Sequence, residues 1–190
     1  MKKSLIALAL WLTGCSSAVT LNYYQLPQSP EQGVSTVTPV SEQSQQAVVI
    51  VEPVMVANYL NTNSLILQTS AVELHRTTQH LWLDALDQQL NRLVVNSLQS
   101  QLPAQLVTSQ ALPVASGSSQ RLLLQIDEFH GTAEGKVLLR GRYSVLSGPQ
   151  VKLYPFQIER LQAEEGYPAM VSTMGLAVAD LTRQIAASLQ

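Results

Sequence analysis

The chain has 190 residues, 46% of them hydrophobic and 13% charged, with 11 basic and 13 acidic side chains. That is enough for one domain with a sizeable core, and the absence of any basic stripe excludes nucleic acid as a partner and electrostatic capture by anionic headgroups. One cysteine alone excludes a disulfide framework.

Lys2 and Lys3 form a short positive start, followed by an apolar stretch over residues 5–12. About eight residues are too few to span a bilayer, and the layout is that of a secretory leader. Leu12-Thr13-Gly14-Cys15 matches the lipobox, in which the cysteine sulfur receives a diacylglycerol before the leader is removed. Cys15 is the expected lipidation site, and residues 1–14 the leader. An incidental cysteine is the weaker reading, because a secreted chain that uses cysteine for stability carries pairs. Each buried CH₂ of an acyl chain contributes about 0.8 kcal/mol, so several long chains make the anchor effectively permanent. Ser16 follows the cysteine. By the sorting rule of Gram-negative lipoproteins, a residue other than Asp there directs the protein to the outer membrane. Loss of the two leader lysines leaves 9 basic and 13 acidic residues, net −4.

Residues 15–46 read as the lipidated N-terminus and a flexible tether, poor in apolar residues and carrying Pro27, Pro30, Gly33 and Pro39. A flexible chain of about thirty residues spans roughly 30 Å on average and roughly 100 Å when extended. Within it, Asn22-Tyr23-Tyr24-Gln25-Leu26-Pro27 stands out. Adjacent tyrosines in a linker dock on something, either the domain itself or a partner, and Tyr23 and Tyr24 are the candidate partner-binding residues.

Residues 47–190 read as a periplasmic α+β domain. Val48-Val49-Ile50-Val51 is a β-branched run bounded by Pro53, as in a strand buried on both faces. Weaker strand signals cover 65–69 and 72–76. An amphipathic helix follows, its apolar line formed by Trp82, Leu86, Leu90, Leu93, Val94, Leu98 and Leu102. Thr77 or Thr78 is the expected cap, and Pro103 the stop. Three antiparallel strands are expected over 121–129, 136–147 and 151–162, the last an edge because Pro155 interrupts it. Pro168 suits the first turn of a closing helix with Val171, Met174, Val178, Leu181, Ile185 and Leu189 along one face. These elements predict a two-layer sandwich of a mainly antiparallel sheet with two amphipathic helices. No later apolar run is long enough to cross a membrane.

Chemistry-bearing patterns are sparse. The sole cysteine is acylated and no G-x-S-x-G is present, so no nucleophile has a recognisable setting and no catalytic residue is expected. His75, His80 and His130 lack metal-ligand spacing, and neither a metal nor a cofactor is expected. Residues 131–137 superficially resemble a phosphate loop, but the run is one residue short and joins strand to strand, so it reads as a hairpin. Asp127 and Glu128 are neighbours on a strand and point to opposite faces unless a bulge intervenes. Phe129 is out of phase with Leu122, Leu124 and Ile126, which leaves room for a bulge there, but solvated strand-end charges are the favoured reading of the two carboxylates.

A series of short matches runs along nearly the whole chain. They are the lipobox at 12–15, Asn22-Tyr-Tyr-Gln-Leu-Pro27, Tyr59-Leu60, Leu81-Trp82 with Leu86-Asp-Gln-Gln-Leu90, Gln101-Leu-Pro103, Glu128-Phe129 with Gly131, Gly135-Lys-Val137, Pro155-Phe156, and Gly166-Tyr167 with Met170-Val171. In this order and spacing the chain resembles the PqiC-like outer-membrane lipoproteins of the ABC-type transport auxiliary lipoprotein family. It departs from them at Ala57-Asn58 and Ala85, where the family often has proline. The resemblance implies a non-catalytic lipoprotein of an intermembrane lipid transport system. Its partner would be a PqiB-like, MCE-domain tunnel protein, met at the outer membrane by a homo-oligomer of anchored copies. The rival expectation is a structural lipoprotein that plugs or assembles an outer-membrane β-barrel.

Overall fold

The computed structural model describes residues 20–28, 47–110 and 119–190. The leader, Cys15 and most of the tether expected over 15–46 lie outside the described residues.

Among the described residues, nine strands join in one sheet. In chain order they are β1 (Asn22–Tyr24), β2 (Val48–Val51), β3 (Met55–Val56), β4 (Ser64–Ser70), β5 (Glu73–Trp82), β6 (Leu106–Thr108), β7 (Ser119–Thr132), β8 (Lys136–Ser147) and β9 (Gln150–Leu161). Helix α1 (Leu86–Gln101) follows β5 and helix α2 (Tyr167–Leu189) closes the chain, while one 3-10 turn (Asn58–Leu60) follows β3.

The α+β class and the two helices agree with the sequence, but the expectation of a mainly antiparallel sheet requires correction. The sheet is mixed, and five of its eight strand pairings are parallel: β1 with β5, β2 with β6, and β2, β3 and β4 each with β7. The antiparallel pairs are the hairpins β4–β5, β7–β8 and β8–β9. Hairpins declare themselves through their turns, whereas a parallel pairing joins residues far apart in sequence and leaves no local signature.

The long hairpins carry the core. Leu122, Leu124 and Ile126 on β7, Val137, Leu139, Tyr143 and Val145 on β8, and Phe156 and Ile158 on β9 turn one face toward α2. Helix α2 answers with Met170, Met174, Val178, Leu181 and Ile185, all buried. Full burial of such a side chain contributes about 1.5–3 kcal/mol. Helix α1 packs beside α2 through Leu90, Leu93, Val94 and Leu98. Between the helices, Ser97 Oγ and Thr182 Oγ1 lie 2.8 Å apart, and Gln101 Nε2 donates to both at 3.1 Å.

The first helix begins later than the sequence predicts. Thr77 and Thr78 lie within β5 and cannot cap it, and Ala85 occupies the capping position. Buried Thr77 instead donates its hydroxyl to the Leu65 and His80 carbonyls. Trp82 is the last residue of β5, and its buried ring stands at helical spacing from Leu86 by coincidence. Pro103 does follow the helix end, and Pro155 does sit on an edge, since among the described residues β9 pairs with β8 alone.

A bulge at the two carboxylates is present. The β7–β8 register shifts between Ile126 and Glu128, with Ile126 opposite Gly141 and Glu128 opposite Arg140. At that point the backbones approach closely, and a Cβ on Gly141 would overlap the Gln125 carbonyl oxygen.

Candidate functional site

Asn22, Tyr23 and Tyr24 pair in parallel with His80, Leu81 and Trp82, so this part of the tether is the first strand of the sheet. The Leu83 N–H donates to the Tyr24 carbonyl at 2.8 Å. The Tyr24 hydroxyl and His80 Nδ1 are hydrogen-bonded at 2.9 Å, and the His80 ring stacks on Tyr167 with centroids 3.8 Å apart. Partial burial, and then the neighbouring Tyr167 phenol, push the Tyr24 pKa above its ordinary value.

Two residues further on, the chain enters the helix layer. Leu26 is buried, and its N–H donates to Gln89 Oε1 at 2.9 Å, while Gln89 Nε2 donates to the Asp84 carbonyl at 2.8 Å. Pro27 packs against Gly175 in the middle of α2. The segment is thus strapped across β5, α1 and α2 by main-chain bonds, a buried amide and an apolar wedge. Tyr23, on the other face of β1, is 57% exposed. Of the two candidate tyrosines, Tyr24 is built into the domain and Tyr23 faces outward.

His80, Gln89, Tyr167 and Gly175, which receive the strap, were not legible as functional positions. Gly175 did carry a signal, because glycine inside a strongly apolar helix costs about 1 kcal/mol against alanine and marks a close approach.

At one end of the sheet, Leu67, Gly135, Leu161, Gly166, Tyr167 and Met170 are among the residues lining an open cleft of about 620 Å³. Glu134, Glu164 and Glu165 also border it. The β4–β5 turn and the β7–β8 turn stand at this end, since Gln68 is paired with Thr132. The run 131–137 that superficially resembled a phosphate loop forms the β7–β8 turn.

The remaining polar candidates are dispersed. Glu128 is paired with Arg140 at 3.0 Å, whereas Asp127 accepts from Gln125 Nε2 at 2.9 Å. His75 is exposed, His80 belongs to the strap, and His130 is buried with Nδ1 3.1 Å from the Gly131 carbonyl oxygen. The described residues contain no group of three His, Cys, Asp or Glu side chains able to hold a metal ion. No described helix is long and apolar enough to cross a membrane.

These features define a class: an α+β domain, two helices on a mixed sheet, whose first strand follows directly on the expected lipid attachment site. The family model for the ABC-type transport auxiliary lipoprotein component matches residues 24–186. The chain is 38% identical over 177 residues to the intermembrane transport lipoprotein PqiC of Escherichia coli (strain K12), covering 92% of this chain and 90% of that protein. PqiC of Shigella flexneri matches at the same identity and coverage. A solved structure of an uncharacterized protein superposes with a TM-score of 0.77 at 32% identity, over 90% of this chain and 99% of that one. A second, from Xanthomonas campestris, shares the fold with a TM-score of 0.61 at 14% identity, over 74% of this chain and 82% of that one. The chain belongs to the ABC-type transport auxiliary lipoprotein family, and within it is similar to the PqiC lipoproteins. Members of this family are auxiliary, non-catalytic components.

Proposed function

We propose that this protein is an auxiliary lipoprotein of an intermembrane lipid transport system. It is held by lipid on Cys15 at the periplasmic face of the outer membrane, where it docks an MCE-type tunnel protein that spans the periplasm. The observation that carries this reading is the 38% identity to an intermembrane transport lipoprotein along 92% of the chain.

The strap supports an anchoring role. Six residues separate Cys15 from Asn22, a span of seven chain steps, so the lipid lies within about 25 Å of the first strand. The domain is held near the membrane, and the long reach expected of a thirty-residue tether is not available to it. Two surfaces remain for partners. Among the described residues strand β9 has no neighbour on its outer side, and Val151, Leu153 and Leu161 on it are exposed, which suits the edge-to-edge addition of another copy. Tyr23 faces outward beside the anchor, and we assign it to partner contact with Tyr24 fixing its position.

Mild crosslinking of the tagged protein in membranes, followed by purification, tests this reading beside a Cys15→Ala control. Recovery of an MCE-domain protein that weakens without the anchor is the expected result. Recovery of an outer-membrane barrel protein alone would overturn it.

A further inference from the structure

The strap sets the direction in which the anchor leaves the domain. Strand β1 runs parallel to β5 with Asn22 beside His80, so the chain arrives at β1 from the side on which β5 begins. Between His80 and Glu73 the β4–β5 register slips by three residues, so the distance is set by the facing stretch of β4, Leu65 to Ser70, about 17 Å at the usual rise. The seven chain steps from Cys15 to Asn22 reach at most about 25 Å. The β4–β5 turn therefore stands on the same side of Asn22 as the lipid, and within the distance the lipid can reach.

At that turn Val72 is 97% exposed, and residues 71–76 are all exposed. Leu74 on β5 and Leu21 just before β1 are further exposed apolar side chains on the way to the tip. Exposure alone does not single out this end, because Val151 and Leu153 beside the β8–β9 turn are exposed as well. That turn lies at the far end of β8, twelve residues or about 36 Å away, where the short anchor does not bring the bilayer.

From these relations we propose that the cleft-bearing end of the domain faces the bilayer, with the Val72 side chain seated in the membrane interface. The proposal rests on the reading of Cys15 as a lipid anchor. Charge does not drive the contact. Glu73 and Arg76 flank the tip, Glu134 lies 3.8 Å from Lys136 on the adjacent turn, and Glu164 and Glu165 border the cleft. The attraction is apolar and insensitive to salt, unlike binding to anionic headgroups.

Because Cys15 is the only cysteine and its sulfur carries the lipid, one introduced cysteine can be labelled selectively. Val72→Cys and, as the distal control, Val151→Cys are each labelled with an environment-sensitive NBD fluorophore in the full-length lipidated protein. Both are reconstituted into phosphatidylethanolamine–phosphatidylglycerol vesicles containing doxyl-labelled lipid. The label at position 72 should show blue-shifted emission and loss of intensity to the lipid quencher, unchanged by salt, while the label at 151 shows neither. Flotation with the vesicles reports the anchor separately. Flotation with an unquenched label at 72, or with quenching at 151 instead, overturns the proposed orientation alone. Failure to float overturns the anchor reading and the orientation with it.

Discussion

The ring of Pro27 occupies the space that a side chain at position 175 would fill: a Cβ on Gly175 would overlap Pro27 Cγ and stand 2.8 Å from Cδ. A residue close to the lipid attachment site is thereby keyed to the middle of the last helix, 148 positions later in the chain. Gly175→Ala tests this contact. Alanine favours a helix by about 1 kcal/mol over glycine, whereas overpacking a tight contact costs about 1–3 kcal/mol. We expect the strap to be displaced, seen as faster chymotryptic cleavage at Tyr23 and Tyr24 while the helical circular dichroism is kept. Unchanged cleavage would show that the wedge does not hold the segment.

Gln89 serves two main-chain groups at once, accepting from the Leu26 N–H and donating to the Asp84 carbonyl. Gln89→Leu retains the bulk and removes both bonds, leaving the buried Leu26 N–H without its acceptor. The expected loss is about 1–3 kcal/mol in urea denaturation, on the scale of one unsatisfied buried donor.

Ala85 and Ala57 both hold an extended backbone that proline also adopts, at φ −55 and ψ 133 for Ala85 and φ −57 and ψ 147 for Ala57. Their N–H groups differ. Ala57 donates to the Ile126 carbonyl at 2.9 Å, whereas the Ala85 N–H makes no hydrogen bond among the described residues. Ala85→Pro should stabilise by about 0.4–1 kcal/mol through the unfolded chain. Ala57→Pro loses its bond and should destabilise. Paired thermal melts check the opposite signs.

Tyr59, on the 3-10 turn, donates its hydroxyl to the Asp127 carbonyl at 3.1 Å. Burial, and then the Glu128 and Asp127 carboxylates, outweigh a backbone hydrogen bond at Phe129 and push its pKa from 10.0 up to about 12. The unfolded chain therefore releases this proton first. The phenol's contribution to stability is whole below pH 10, declines as pH rises, and is gone once the folded-state pKa is passed. Denaturation midpoints for the wild type should fall between pH 10 and 12, in the same direction as the smaller effect at Tyr24. Tyr59→Phe should lower the midpoint at neutral pH and flatten that decline.

What the sequence disclosed was local. The bulge was readable because Phe129 breaks the alternation set by Leu122, Leu124 and Ile126, and the β8 bounds were readable because its apolar residues alternate without interruption. Strand β5 was readable only at its start, as the weak signal over 72–76, and its continuation to Trp82 was not, since residues 73–76 are exposed on both faces and leave no period of two. With no alternation to oppose it, the chance spacing of Trp82 and Leu86 extended the helix backward. Strands β1, β3 and β6 are two or three residues long, and their parallel partners lie from 58 to 70 positions away. No window along the chain contains both members of such a pair. The strap shows the same limit: its motif was conspicuous at Tyr23 and Tyr24, but its receiving residues come from three separate elements.

The central claim is that a domain held close to the membrane by Cys15 receives a periplasm-spanning partner. Vesicles carrying the purified lipidated protein can be mixed with the soluble periplasmic portion of an MCE-domain protein and floated on a density gradient. The account predicts that the partner rises with these vesicles and stays at the bottom with empty vesicles or with those prepared from Cys15→Ala protein. A partner that remains at the bottom in every case, while the lipoprotein itself floats, would contradict it.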